Sequence, residues 1–176
     1  MAVRKIALYW HPALRNVSSD ITDFSNIETL IEDLFDTMYE FDGIGLAANQ
    51  IGIDKRIFVV DINHIEKIDK EFDKPLVFIN GKLDDPSGYS MSSEGCLSLP
   101  GIRAEVERYE SIKYSYLDEN LKKCSRVFSG LPATVIQHEN DHLDGKLITD
   151  SVNPVDLAHY AKMIKDYKER KKSMIL

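Results

Sequence analysis

The stretch Gln137-His138-Glu139-Asn140-Asp141-His142-Leu143 constrains this chain more than any other. Residues four apart on an α-helix share a face, so His138 and His142 can aim their imidazoles at one point. Glu139 follows the first histidine directly, where its carboxylate can reach a water at that point. The spacing therefore predicts a helix carrying two ligands of a divalent metal ion. Two imidazoles leave a tetrahedral ion short of a third protein ligand, which another part of the chain must supply.

The chain has 176 residues, 43% hydrophobic and 29% charged, enough for one domain with a sizeable core. No apolar run approaches the roughly 20 residues of a membrane helix. The first ten residues lack an apolar core and a small-residue cleavage site, so no targeting segment is expected and the location is read as cytoplasmic. Cys96 and Cys124 are then expected as reduced thiols, at least one of them free to bind metal. Net charge is −7. Between Lys162 and Lys172, however, six basic residues stand against two acidic ones, and this basic tail suits an anionic partner as well as a solvated helix face.

Ile27, Leu30, Ile31, Leu34, Phe35 and Met38 recur at helical spacing; Ser25 and Glu28 fit a capping box, and Gly43 a left-handed helix end. The small residues of 43–50, Gly-Ile-Gly-Leu-Ala-Ala-Asn-Gln, permit close backbone approach to a ligand or to another element, or else form a plain turn. Gln50 within it could be a solvated amide or a donor to a developing oxyanion. Buried strands are predicted at 57–61 and 76–79, with a polar surface excursion at 63–73 that includes His64, and a loop at 84–88. Alternation predicts antiparallel strands at 102–107 and 111–117. A turn at 118–120, with Asn120 able to take positive φ, leads into a strand at 121–129 that carries Cys124. The metal helix is expected to begin around Ser129–Pro132, Pro132 being tolerated in a first turn, and to close near Gly145. A last helix opens at Asn153-Pro154 and runs to about residue 172, with Leu157, Tyr160, Ala161, Ile164 and Tyr167 on one face and His159 at the surface.

Cys96 lies in Glu94-Gly95-Cys96-Leu97-Ser98, a loop-like stretch. A cysteine beside glycine there is accessible, so Cys96 is the leading candidate for the third ligand. In order and spacing, the segments GIGLAANQ (43–50), EGCLS (94–98) and QHENDHL (137–143) resemble the three signature motifs of peptide deformylase. That pattern is G-x-G-x-A-A-x-Q, E-G-C-L-S and Q-H-E-x-D-H-L, matched at every fixed position. An N-terminal Pro12-Ala13-Leu14-Arg15 element and the E-G-C-L-S-x-P-G continuation resemble the bacterial enzymes.

The resemblance implies removal of the formyl group from N-formyl-methionyl nascent peptides, with release of formate. It assigns Cys96, His138 and His142 to the metal, Glu139 to proton transfer, and Gln50 with the backbone N–H of Leu97 to the oxyanion. Ile44, Gly45 and Gly95 match positions that pair with substrate backbone; Leu131, Thr134 and Val135, with His138, match the wall of the methionine pocket. One divalent ion is expected. Thiolate and imidazole suit Fe²⁺, Zn²⁺, Ni²⁺ or Co²⁺, and the family favours Fe²⁺. Ribosome contact through the basic tail resembles some bacterial members. Pro132, Asn140 and Leu121 depart from the usual family residues, none of them at a proposed catalytic group. A zinc endopeptidase also uses H-E-x-x-H, but takes its third ligand downstream as histidine or glutamate, and nothing here has that spacing. The fold expected is α+β: antiparallel β-sheets surrounding a central metal-binding helix, with an N-terminal and a C-terminal helix.

Overall fold

The structure, a computed structural model, describes residues 2–63, 65 and 74–176; the side chain of Lys172 is also outside the description. His64 and most of the predicted excursion at 63–73 therefore lie outside the described residues. The elements are α1 (Ile27–Glu40), β1 (Gly45–Ala47), β2 (Ile57–Val60), β3 (Leu76–Ser87), β4 (Ser90–Cys96), β5 (Leu99–Arg108), β6 (Ser111–Leu117), β7 (Lys123–Ser129), α2 (Leu131–Leu143) and α3 (Pro154–Arg170). Short 3-10 turns occupy Pro12–Arg15, Ala48–Ile51, Ile148–Ser151 and Lys172–Met174.

Every strand pair is antiparallel. One sheet runs in the order β1-β2-β3-β6-β7, and β4 pairs with β5 in a second. Strand β2 and the start of β3, residues 76–79, are apolar on both faces because both faces are covered. Phe58 and Phe78 turn to a cluster with Tyr114, Phe128 and the α2 residues Ala133, Ile136 and Leu143. Ile57, Val59, Val77 and Ile79 turn the other way, to Leu30, Leu34 and Met38 of α1. The α+β architecture is as expected, with the histidine-bearing helix between layers of sheet. Its ring-lined floor is tight: the Phe58 and Phe78 rings stack with centroids 4.7 Å apart. Among the described residues no helix is long and apolar enough to cross a membrane.

Several local expectations are corrected. The N-cap of α1 is Asn26, without a side-chain cap bond, and the Ser25 N–H instead donates to Asp23 Oδ1. The capping box fails because a nearer carboxylate captures the serine. The left-handed residue after α1 is Asp42 (φ 54°), not Gly43. Gly43 is small for another reason, since a Cβ there would stand 2.8 Å from Leu97 Cδ1. The stretch 84–88 is not a loop throughout, because β3 continues to Ser87. Register shifts between Ile79 and Lys82 and between Asp84 and Ser87 place Pro86 in a bulge, where no ladder N–H is required. Residues 93–96 end strand β4, not a loop, and only Leu97 and Ser98 form the turn. In the turn after Asp118 the positive φ falls on Leu121 (60°), not Asn120, because Asp118 Oδ1 ties down the Asn120 and Lys122 N–H groups. Pro132 sits in the first turn of α2, where its missing N–H leaves nothing unpaired.

The two ends of the described chain meet. Ile6 donates to Met174 O at 3.0 Å and Leu176 donates to Ile6 O at 3.0 Å, burying Ile175 beside the N-terminal segment. This latch holds α3 against β5, where the Tyr160 hydroxyl donates to Arg103 O.

Candidate active site

Helix α2 delivers His138 and His142 on one side, their ring centroids 5.0 Å apart. Strand β4 delivers Cys96 at its last residue, with Sγ 3.1 Å from His142 Nε2. The donor atoms of Cys96, His138 and His142 all lie within 4.8 Å of one another. A tetrahedral ion with bonds of roughly 2.0–2.3 Å separates its ligands by about 3.5 Å, so small side-chain movements bring these three onto one ion. His142 is buried and His138 nearly so.

The chemistry of the set fits a metal. His138 Nδ1 lies 2.8 Å from Glu94 Oε2, which assigns a proton to Nδ1; burial would lower the ring, but the Cys96 and Glu94 contacts hold it well above its ordinary pKa, so an ion at Nε2 would take the place of its second proton. His142 is held well below its ordinary pKa, by burial first and by His138 second, so it is a neutral donor. Its backbone carbonyl accepts from Asn49 Nδ2. Thiolate with two imidazoles suits zinc, iron, nickel or cobalt.

Glu139 is 4% exposed, and burial pushes its carboxyl up to about 7; His138 opposes this and the charge of Glu94 adds to it. Its Oε2 is buried with no hydrogen-bond partner among the described residues. The floor over which it lies is Gly45, where a Cβ would approach Oε1 to 2.4 Å. That glycine lets the β1 backbone touch the carboxylate, a close approach to another element of the chain.

Gln50 is buried at 1% exposure, so it is not a solvated amide. It lies on the 3-10 turn after β1, with Nε2 3.6 Å from Cys96 Sγ. Ile44, Gly45, Gly95, Leu97, Leu131, Thr134 and Val135 line one cleft of about 710 Å³ together with Gln50, Cys96, His138 and Glu139. His142 closes the metal cluster from behind and does not line the cleft. Strand β1 is an edge of its sheet, and Gly95 of β4 lines the same cleft as Gly45.

One buried group had no role in the sequence reading. Arg108 of β5 donates from Nε to Glu94 Oε1 at 2.7 Å and from Nη2 to Oε2 at 2.9 Å; its Nη1 reaches Asp141 Oδ2 at 2.5 Å. Burial alone would raise Glu94, but the hydrogen bonds from Arg108 and His138 hold it down at about 2. The carboxylate is thus kept ionised beside His138. Glu94 and Asp141 both fall within the motifs, but the arginine that joins them lies fourteen residues beyond Glu94. Asn140, on the far side of α2, accepts from Tyr114 Oη at 2.8 Å and Arg56 Nη2 at 3.2 Å and donates to Asp144 Oδ2 at 3.0 Å. It points away from the cluster, as helical geometry predicts. Cys124 is half-buried, and its thiol lies 3.7 Å from Asp118 Oδ2.

Comparison with known proteins agrees with this geometry. The family model described as polypeptide deformylase matches residues 3–158. Peptide deformylase 1 of Vibrio vulnificus is 40% identical over 168 residues, covering 95% of this chain and 96% of the relative. Peptide deformylase 2 of Xanthomonas campestris is 45% identical over 128 residues, 73% of this chain and 72% of the relative. The crystal structure of a peptide deformylase from Legionella pneumophila superposes with a TM-score of 0.88 at 34% identity, covering 97% of this chain and 98% of that one. A peptide deformylase from Synechococcus elongatus, solved in complex with actinonin, gives a TM-score of 0.81 at 34% identity, over 94% and 91% of the two chains. With a cysteine and two histidines gathered beside a buried glutamate, and likeness along nearly its whole length, this chain belongs to the polypeptide deformylase family.

Proposed function

We propose that the cleft hydrolyses the formyl amide at the N-terminal methionine of newly made polypeptides, releasing formate. The chain is a metallohydrolase of the deformylase family. The observation that carries the reading is the donor set, one thiol and two imidazoles around a glutamate that is itself buried. Cys96 would hold the ion through Sγ, and His138 and His142 through ring nitrogens. When bound, the ion supplies Lewis acidity toward water and the formyl oxygen. Ferrous iron is the ion we assign, with Zn²⁺, Ni²⁺ and Co²⁺ as substitutes, and loss of activity on oxidation as the consequence.

The residues of the chain account for the remaining steps. The N-terminal residues of the substrate lie as an added strand beside Ile44 and Gly45 on the edge of β1, with Gly95 opposite. The methionine side chain enters between Leu131, Thr134 and Val135. Water adds to the formyl carbon, and Glu139 accepts the proton that the water loses. As charge grows on the carbonyl oxygen, Gln50 Nε2 and the Leu97 N–H donate to it, each worth roughly 3–4 kcal/mol of barrier. The C–N bond then breaks with its electron pair moving to nitrogen, which takes the proton from Glu139. A zinc endopeptidase is the reading not favoured: the third donor is a thiol upstream of the helix, and the family is the deformylases.

Formate release from formyl-Met-Ala-Ser by protein loaded anaerobically with Fe²⁺ tests the reading, with casein digestion run alongside. No formate above blank overturns it. Glu139→Ala is expected to retain metal while turnover falls by about 10²–10⁴-fold. We place the reaction in the cytoplasm and assign the exposed basic residues of α3, among them Lys162, Lys165 and Lys168, to ribosomal contact. Co-sedimentation with ribosomes that survives truncation after Asp156 would refute that assignment.

A further inference from the structure

Gln50 is held at both ends of its amide. Oε1 accepts the Ala47 N–H at 2.8 Å, and Nε2 donates to Ser98 Oγ at 3.2 Å. A backbone N–H can only donate, so the atom facing Ala47 must be the oxygen, and the orientation of the amide follows from the contacts alone. Ser98 is fully buried, in the two-residue turn directly after Cys96 and Leu97. The N-terminal segment ties the two residues into one frame: the Ala7 N–H donates to Gln50 O at 2.7 Å, and the Tyr9 N–H to Ser98 O at 3.2 Å.

The last torsion of a glutamine side chain is broad and turns oxygen and nitrogen together, so a second anchor at nitrogen narrows the orientation that a bond at oxygen alone leaves. Its two N–H bonds diverge by about 120°, as trigonal nitrogen requires. An acceptor on one therefore aims the other. We propose that Ser98 is a positioning residue for the reaction: its Oγ takes one Nε2 hydrogen and thereby directs the second toward the Cys96 side of the cleft, where Nε2 stands 3.6 Å from Sγ. Ser98 lines no part of the cleft and acts only through Gln50. The inference rests on the reading of Gln50 as oxyanion donor. It also accounts for a hydroxyl, in place of a hydrophobic side chain, at a position with no solvent access.

The test is a double-mutant cycle on iron-loaded protein with formyl-Met-Ala-Ser, comparing wild type, Ser98→Ala, Gln50→Ala and the double variant. Metal content and Tm are measured for each, and kcat and KM are obtained separately. Ser98→Ala is expected to lower kcat about five- to tenfold with KM within about twofold, the cost of one lost hydrogen bond to a transition-state donor. In the Gln50→Ala background the same change is expected to cost nothing further. Ser98→Cys, nearly isosteric but a poor acceptor, should follow Ser98→Ala, which separates hydrogen bonding from packing. An equal loss from Ser98→Ala in both backgrounds, or a wild-type kcat in Ser98→Ala beside an impaired Gln50→Ala, overturns the role of Ser98 and leaves Gln50 standing. A wild-type kcat in Gln50→Ala overturns the donor reading itself, and this inference with it.

Discussion

Replacing Gly45 with alanine would place a methyl carbon 2.4 Å from Glu139 Oε1, 2.9 Å from its Cδ and 3.0 Å from its Cγ. The backbone would accept the change, because Gly45 is a strand residue outside the left-handed region. The three nearest atoms all belong to the Glu139 side chain. Ordinary carbon–oxygen contact needs about 3.4 Å, so either Glu139 or the edge of β1 must retreat by about 1 Å. Both movements damage the proposed reaction, since one carries off the proposed proton acceptor and the other the edge proposed to hold substrate. A misplacement of that size costs about 10²-fold in rate. The assay is formate release coupled to a formate dehydrogenase, with metal content and Tm measured on the same preparation. The expected result is kcat/KM lowered by about 10²-fold, mostly in kcat, with metal retained. Gly95→Ala is the comparison: its nearest neighbours would be Ile102 O at 3.7 Å and Arg103 Nη1 at 3.9 Å, ordinary contacts, so any loss there should appear in KM. A Gly45→Ala enzyme within about threefold of wild type would refute the reasoning, because 1 Å at the proposed proton-transfer group could not then matter.

Three further outcomes follow from buried polar contacts. Glu94→Gln removes the charge that fixes the His138 tautomer and is expected to weaken metal affinity by about 10–100-fold, read by competition with a chromophoric chelator. Arg108→Leu strips the guanidinium from Glu94 at 6% side-chain exposure, leaving it the His138 contact, and should cost about 3–5 kcal/mol in urea unfolding. Asn140→Ala strips partners from Tyr114 and Arg56 behind α2 and should cost about 1–3 kcal/mol of stability, with metal affinity unchanged in the same chelator assay.

Much of the site was legible in the chain because its rules are local. The spacing of His138 and His142 on one helix face needs only 3.6 residues per turn, and Pro132 beside Leu131 marks where that helix can begin. The apolar runs at 57–60 and 76–79 likewise announced the buried parts of β2 and β3. The errors came where two local solutions compete and a neighbour decides between them. Asp23 took the Ser25 N–H, Asp118 moved the positive φ to Leu121, and pairing with β6 drew 84–87 into a strand despite Pro86.

The sequence by itself determined the helix that carries two imidazoles, the glutamate beside them, and, through the motif resemblance, the cysteine that completes the set. Tertiary structure alone decided how these groups are held. Arg108 is joined to Glu94 and Asp141, Ser98 to Gln50, and Gly45 to Glu139, each across a long stretch of chain or between different strands and helices. Such pairings leave no period in the sequence. They exist because the pairing of β4 with β5, and the packing of α2 between the sheets, bring distant residues to the same few ångströms.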